Sequence, residues 1–284
     1  MKKNLTGKRV ILTGAASGIG QQLALTLAAR GAELALSDIN ETELQDTAAQ
    51  LTHLGAPRFR TDRLDVSDTE ATRRYAELIQ AEFGPADLVI NNAGLTRVGP
   101  FADVELSSLE HVMEVDFWGV VRMSKAFLPQ LIATKGHLVN ISSLFGLIGY
   151  PGQAGYCAAK HAVKGFSESL AIEMSPHGVT VTSVHPGGVR TNIIRKSTID
   201  APMAGVRNKE QMARSFDQMA ETSAADAAAI IVRGIENGKE RILVGRDAVI
   251  ISLLQRLMPQ GYKRLLMKVL WKQGRKKPAE PRPA

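Results

Sequence analysis

TGAASGIG, residues 13–20, is the stretch whose reading decides the fold. A short β-branched run, KRVILTG (8–14), leads into it, and an apolar-periodic segment, QQLALTLAAR (21–30), leads out of it. Glycines between a strand and a helix allow a tight turn. They bring backbone N–H groups and the helix N-terminus against a pyrophosphate without Cβ obstruction. The glycine spacing alone is weak evidence, but the strand before and the helix after it make a dinucleotide-binding signature.

The same alternation continues along the chain. AELALSD (32–38), PADLVINN (85–92), GHLVNIS (136–142), GVTVTSVHP (178–186) and RILVG (241–245) have the length and composition of buried strands. The segments between them, such as ATRRYAELIQAEF (71–83), carry apolar residues at three-and-four spacing. Strand and helix in alternation imply βαβ units, right-handed crossovers and a parallel sheet covered on both faces. We expect one doubly wound α/β domain over residues 1–247, with neither internal linker nor repeat, and a helical extension over 248–284 ending in a disordered GRKKPAEPRPA.

At 284 residues and 44% hydrophobic content, the chain can bury a large core. Its single cysteine, Cys157, excludes an intramolecular disulfide and fits a reducing compartment. The six histidines are scattered and lack cysteine partners, so no metal site is expected. MKKNLTGKRVILTG lacks the uninterrupted apolar core of a signal peptide, and no run approaches the ~20 apolar residues that span a bilayer. The expected location is cytoplasmic. From Lys263 onward, eight Lys or Arg face the single acid Glu280, which accounts for the whole formal charge of +7 and leaves a neutral body.

Asp38 ends the second strand eighteen residues after Gly20, where a carboxylate can accept from an adenosine ribose hydroxyl and repel a 2′-phosphate. Neither Ser17 nor Ile39 supplies a compensating cation, so NAD is expected in preference to NADP. Asp38 also suits a helix N-cap before NETEL, although Asn40 is better placed for that. In GYCAAK (155–160), Tyr156 and Lys160 share a helix face. The pair reads either as surface decoration or as a phenol whose pKa, near 10 when free, is lowered by a fixed ammonium.

Together these motifs resemble the short-chain dehydrogenase/reductase family. TGAASGIG, LDV (64–66), NNAG (91–94), NISS (140–143), Tyr156-x-x-x-Lys160 and HPGGVRT (185–191) occur in the family's order over about residues 5–245. The resemblance implies a Rossmann-type doubly wound sheet of about seven strands. It implies that Gly14, Ser17, Gly18, Ile19 and Gly20 hold the pyrophosphate side, Asp65 and Val66 the adenine, and Asn91, Asn92, Ala93 and Gly94 the central sheet and ribose. Pro186, Gly187, Val189 and Thr191 would hold the nicotinamide amide. Hydride transfer to a carbonyl carbon leaves charge developing on oxygen, which needs a proton donor and a hydrogen-bond donor within about 3 Å. By resemblance, Tyr156 is the acid-base group and Ser143 binds the substrate oxygen. Lys160 lowers the tyrosine pKa and binds the nicotinamide ribose, while Ser142 faces away.

One position departs from the family. In MEVDFWGVV (113–121) the fourth catalytic residue, usually Asn, is Asp116. A carboxylate there either holds the Lys160 ammonium too tightly for a proton relay, or serves as well as the amide if the needed contact is a backbone carbonyl. We expect activity to survive with a shifted pH profile.

By resemblance, residues 192–220 form a lid, supplying Ile193, Ile194, Met203, Met212, Phe216 and Met219. With Leu144, Phe145, Leu147 and Tyr150 they suit an apolar small-molecule substrate, although ordinary helix core accounts equally for each lid residue. In the tail, Tyr262, Leu265, Leu266, Val269 and Leu270 share one helix side and Arg264, Lys268 and Lys272 another. That pattern suits peripheral contact with anionic lipid or packing on a partner subunit; specific nucleic-acid binding is not expected. The sequence therefore points to an oxidoreductase of secondary alcohols and ketones, in a homodimer or homotetramer as is common in the family. The alternatives are an NAD-binding regulatory or scaffold protein on the same fold, or a membrane-attached lipid or steroid dehydrogenase.

Overall fold

The computed structural model describes residues 3–201, 209–265 and 267. The first half runs β1 (Arg9–Thr13), α1 (Gly18–Ala28), β2 (Glu33–Asp38), α2 (Glu41–His53), β3 (Phe59–Arg63), α3 (Thr69–Glu82), β4 (Leu88–Asn91), β5 (Arg97–Val98) and α4 (Leu106–Met113). A single π-helical turn, Glu114–Trp118, leads into α5 (Gly119–Thr134), β6 (His137–Ile141) and α6 (Ala154–Met174). Then come β7 (Thr180–Pro186), β8 (Val189–Arg190), α7 (Ile193–Lys196), β9 (Thr198–Ile199), α8 (Lys209–Met219), β10 (Thr222–Ser223), α9 (Ala224–Glu236), β11 (Arg241–Val244) and α10 (Arg246–Leu257).

Seven strands form one parallel sheet in the order β11-β7-β6-β4-β1-β2-β3. The expected doubly wound Rossmann-type architecture is what the chain adopts. Alternate strand residues point to opposite faces. Val10, Leu12, Leu34, Leu36 and Ile90 pack with α1 and α9, while Ile11, Ala35, Val89, Leu138 and Val181 pack with α3, α5 and α6. Burial on both faces explains why these strands read as continuous apolar runs rather than alternating ones.

β3, FRTDR, is the strand that apolar content did not flag. It lies at the sheet edge and is only half-buried, and its charges pair locally, with Arg60 2.6 Å from Asp62. Asn40 caps α2 by accepting the Glu43 N–H at 3.2 Å, so the cap falls to Asn40 and leaves Asp38 to other work. The strand order reverses between β1 and β4, which opens a crevice at their C-terminal ends.

Candidate active site

The turn after β1 is built by exclusion of side chains. A Cβ on Gly20 would lie 1.9 Å from the Gly14 carbonyl oxygen, and one on Gly14 would lie 2.8 Å from Ala93 Cα. Gly14 and Gly18 also take positive φ angles of 66° and 59°. Ser17, at the head of α1, makes no side-chain cap, which leaves the first helical N–H groups to an anion. Ile19 instead turns its side chain toward the core.

Asp38 braces this turn. One carboxylate oxygen accepts the Ala16 N–H at 3.0 Å and the other accepts the Asn40 N–H at 2.9 Å. Thr13 clips β1 to the chain after β4, its Oγ1 accepting from the Asn92 and Ala93 N–H groups at 3.1 Å each. The Asn92 amide donates to the Thr13 and Gly14 carbonyls at 3.1 and 3.0 Å. Asn91 is buried and donates to Asn140 Oδ1 at 2.8 Å, which ties β4 to β6. Asp65 is turned onto Ser67, accepting its hydroxyl at 2.7 Å, and Val66 packs against Gly119. Gly18 faces Thr191, at the mouth of the lid, and Val189 is buried. This set fits a dinucleotide: a side-chain-free turn, an uncapped helix N-terminus and a carboxylate at the end of β2.

At the far end of the crevice, β6 and α6 bring Ser143, Tyr156 and Lys160 together. Ser143 follows β6 and accepts the Phe145 N–H at 3.1 Å. It also neighbours the Tyr156 phenol and favours its ionisation. Ser142 does face away: its buried hydroxyl donates to the Lys160 carbonyl at 2.8 Å and anchors α6 to the strand. The Lys160 ammonium lies 5.5 Å from the Tyr156 ring centre and donates to the Ile141 carbonyl at 3.2 Å.

Asp116 is completely buried, and its carboxylate lies 3.0 Å from the Lys160 ammonium. Its other oxygen accepts the Leu95 N–H at 2.8 Å. It sits in the π-helical turn, a local departure from α-helix geometry of a kind frequent at functional sites. Gly94 closes over this pair, since a Cβ there would stand 3.2 Å from the carboxylate and 3.3 Å from the ammonium.

Burial alone would depress the lysine, but Asp116 and Tyr156 reverse this and hold its ammonium above the ordinary value. Burial likewise lifts Asp116 above the usual carboxylate range, against the pull of Lys160 and the Leu95 N–H. For Tyr156, desolvation is the largest influence and pushes the phenol up. Lys160 and Ser143 pull it down, and Asp116 pushes it up. The expected lowering by Lys160 is therefore present but outweighed.

Three further positioning residues, His185, Asp247 and Lys196, had no role assigned from sequence. His185 is buried and its Nδ1 lies 3.1 Å from the Ser143 carbonyl; a carbonyl only accepts, so Nδ1 carries the proton. Desolvation lowers His185 to about 4, which keeps the ring neutral. Asp247, in the first turn of α10, accepts the Gly188 N–H at 2.6 Å and fills the space where a Gly187 Cβ would stand, which fixes the turn after Pro186. Lys196 reaches across from α7 to Ser17 Oγ at 3.1 Å and also pairs with Glu43, so a cation does approach this corner of the glycine turn. The sequence offered no signal for these contacts, because each joins segments distant along the chain. Met203, Leu266, Val269 and Leu270 lie outside the described residues.

The profile of the short chain dehydrogenase family matches residues 8–201. The chain is 45% identical over 264 residues to the oxidoreductase SadH of Mycobacterium tuberculosis, covering 92% of this chain and 94% of that one. It is 38% identical over 205 residues to epidermal retinol dehydrogenase 2 of Mus musculus, covering 71% of this chain and 66% of that one. A short-chain dehydrogenase/reductase from Burkholderia phymatum, solved in complex with NAD, superposes with a TM-score of 0.80 at 25% identity, over 99% of this chain and 100% of its own. Motifs, sheet order and relatives agree: the chain belongs to the short-chain dehydrogenase/reductase family of oxidoreductases.

Proposed function

We propose that the protein is an NAD-preferring dehydrogenase/reductase that interconverts a lipophilic secondary alcohol and its ketone. The observation that carries this reading is the Tyr156 phenol, beside Ser143 and backed by the buried Lys160–Asp116 pair, at the end of a glycine-lined crevice. Bound NAD would supply the hydride acceptor, and NADH the donor. Gly14, Ser17, Gly18 and Gly20 would face its pyrophosphate, Asp38 its adenosine ribose, and Pro186, Gly187 and Thr191 its nicotinamide end. In alcohol oxidation Ser143 holds the substrate oxygen while the Tyr156 phenolate takes its proton; in ketone reduction the phenol returns the proton to that oxygen. Lys160 offsets the phenolate charge.

Apolar residues around the site support a lipophilic substrate. Leu144, Leu147 and Ile148 form one cluster with Phe145 against it, and Ile193 and Ile194 of α7 are half-buried. A similar relative is named a retinol dehydrogenase, after a lipophilic alcohol. A second reading, peripheral attachment to an anionic membrane, is favoured by α10: Val249, Ile250, Leu253 and Leu257 are exposed, and Lys263 and Arg264 follow. Among the described residues, no helix is long and apolar enough to cross a membrane.

A panel of secondary alcohols assayed with NAD and NADP by nicotinamide absorbance tests the proposal. Turnover should fall about 10²–10⁴-fold in Tyr156→Phe, with NADH binding retained. Tight NADH binding with no turnover of any alcohol by the wild type would point instead to a regulatory role on the same fold.

A further inference from the structure

Tyr262 stands eighteen residues after the last strand of the sheet, in a basic run, yet only 6% of it is exposed. Its ring packs with Leu144, Leu147 and Ile148, all from the segment that joins Ser143 to Tyr156. Its hydroxyl oxygen accepts the Gly149 N–H at 3.2 Å. From α10, Ile251 and Leu254 pack on the same cluster. The other end of that helix holds the turn after Pro186 through Asp247 and the Gly188 N–H. The C-terminal segment thus grips the two loops that follow the neighbouring strands β6 and β7. Phe145 extends the contact inward, stacking on Tyr150 at 4.7 Å and meeting the Tyr156 ring edge-on at 6.2 Å.

We infer that Tyr262 is a positioning residue for the substrate wall, and that the segment following β11 completes the active site instead of trailing from it. This rests on the reading of loop 144–150 as the wall that a lipophilic substrate contacts. The first half of the loop is fixed by the 3-10 turn and by Gly146, which closes on the Lys160 carbonyl, but the stretch at Gly149 has open space around it and only the Tyr262 hydroxyl to hold its N–H. A glycine-bearing loop samples many conformations unless tertiary contacts hold it. The apolar ring and acceptor oxygen of Tyr262 supply both a packing surface and a fixed backbone hydrogen bond. A long alkyl substrate leans on this wall and a short one barely reaches it, so the contribution of Tyr262 grows with substrate length.

The test compares wild type, Tyr262→Phe, which keeps the ring and removes the acceptor, and Tyr262→Ala, which removes both. Hydrogen–deuterium exchange at Gly149 should rise roughly threefold to tenfold in Tyr262→Phe, the worth of one hydrogen bond, while the central sheet is unchanged. In Tyr262→Ala the whole 144–150 loop should exchange faster. With NAD as cofactor, the ratio of kcat/KM for 2-octanol over 2-butanol should fall about tenfold in Tyr262→Ala and less in Tyr262→Phe, through KM, with NADH affinity unchanged. Equal losses on both alcohols, or faster exchange with unmoved kinetics, would make Tyr262 a merely structural plug and overturn the inference. If the wild type oxidises neither alcohol, the claim on substrate length fails, and the exchange data still decide whether Tyr262 orders the loop. Loop exchange unaltered in the phenylalanine variant overturns it, even if the alanine variant does not fold.

Discussion

The Lys160 ammonium and the Asp116 carboxylate stand 3.0 Å apart, both buried, with the ammonium 5.5 Å from the ring centre of the candidate acid-base tyrosine. Where the family usually has a neutral amide, this chain places a charge that acts on two groups at once. It holds the lysine protonated and it opposes ionisation of the phenol.

Asp116→Asn removes the second effect. With the carboxylate gone, the Tyr156 phenol loses an influence that raises it, and the phenolate needed for alcohol oxidation forms at lower pH. The rising limb of kcat/KM against pH should move down, with activity at the optimum within about tenfold of wild type, a change of under about 1.4 kcal/mol in barrier. An unmoved limb takes Asp116 out of the tuning. An upward move shows that loss of the lysine's charge dominates.

Removing the lysine instead strands the acid. In Lys160→Met a completely buried carboxylate loses its partner, and breaking such a pair costs about 3–5 kcal/mol. Urea denaturation should show a loss of that size, and Lys160→Met/Asp116→Leu should recover much of it. A single variant as stable as wild type would mean that Asp116 becomes neutral at little cost.

The proposed preference for NAD rests on Asp38. Its oxygens brace the Ala16 and Asn40 N–H groups at the crevice edge. In Asp38→Ala, NADH binding measured by nicotinamide fluorescence should weaken roughly tenfold to a hundredfold, the worth of hydrogen bonds to a charged group. NADPH should gain relative to NADH as the repulsion disappears, with Lys196 near Ser17 as a cation at hand. An unchanged NADPH/NADH ratio would sink the assigned preference.

Two buried histidines set the acid limit of stability. Desolvation lowers His137 to about 3 and His185 to about 4. The unfolded chain protonates both near 6.5. Unfolding therefore takes up protons below that pH, and the stability present above about 6.5 is lost as pH falls toward 4. The slope is up to about 1.4 kcal/mol per pH unit for each histidine. His137→Gln should flatten the fall between pH 7 and 5 by about half in urea midpoints; equal wild-type stability at the two pH values would refute the buried-neutral assignment.

The sheet was legible wherever the strands are buried on both faces. RVILT, ELALSD and HLVNI announce themselves because burial between two layers of helices selects mainly apolar side chains. FRTDR escaped notice because an edge strand needs no such composition. TGAASGIG was legible because sterics at a tight turn admit only glycine, and the spacing of Tyr156 and Lys160 because a helix converts four residues into one face. Those are local constraints, and local constraints are written in sequence.

What lay beyond reading was how distant segments meet. Tyr262 looked like part of an amphipathic stripe, and only packing against Leu144 and Leu147 shows that it faces the body. His185 beneath Ser143, Asp247 under Gly188 and Lys196 over Ser17 are all products of chain return, invisible to periodicity. By itself the sequence determined the order of the buried strands, the glycine turn and the placing of Tyr156 and Lys160 on one helix face, since each depends on neighbours along the chain. Tertiary structure alone decided the charge balance around Tyr156 and the role of the C-terminal segment. Desolvation and contact depend on what folds on top of a residue and not on what precedes it.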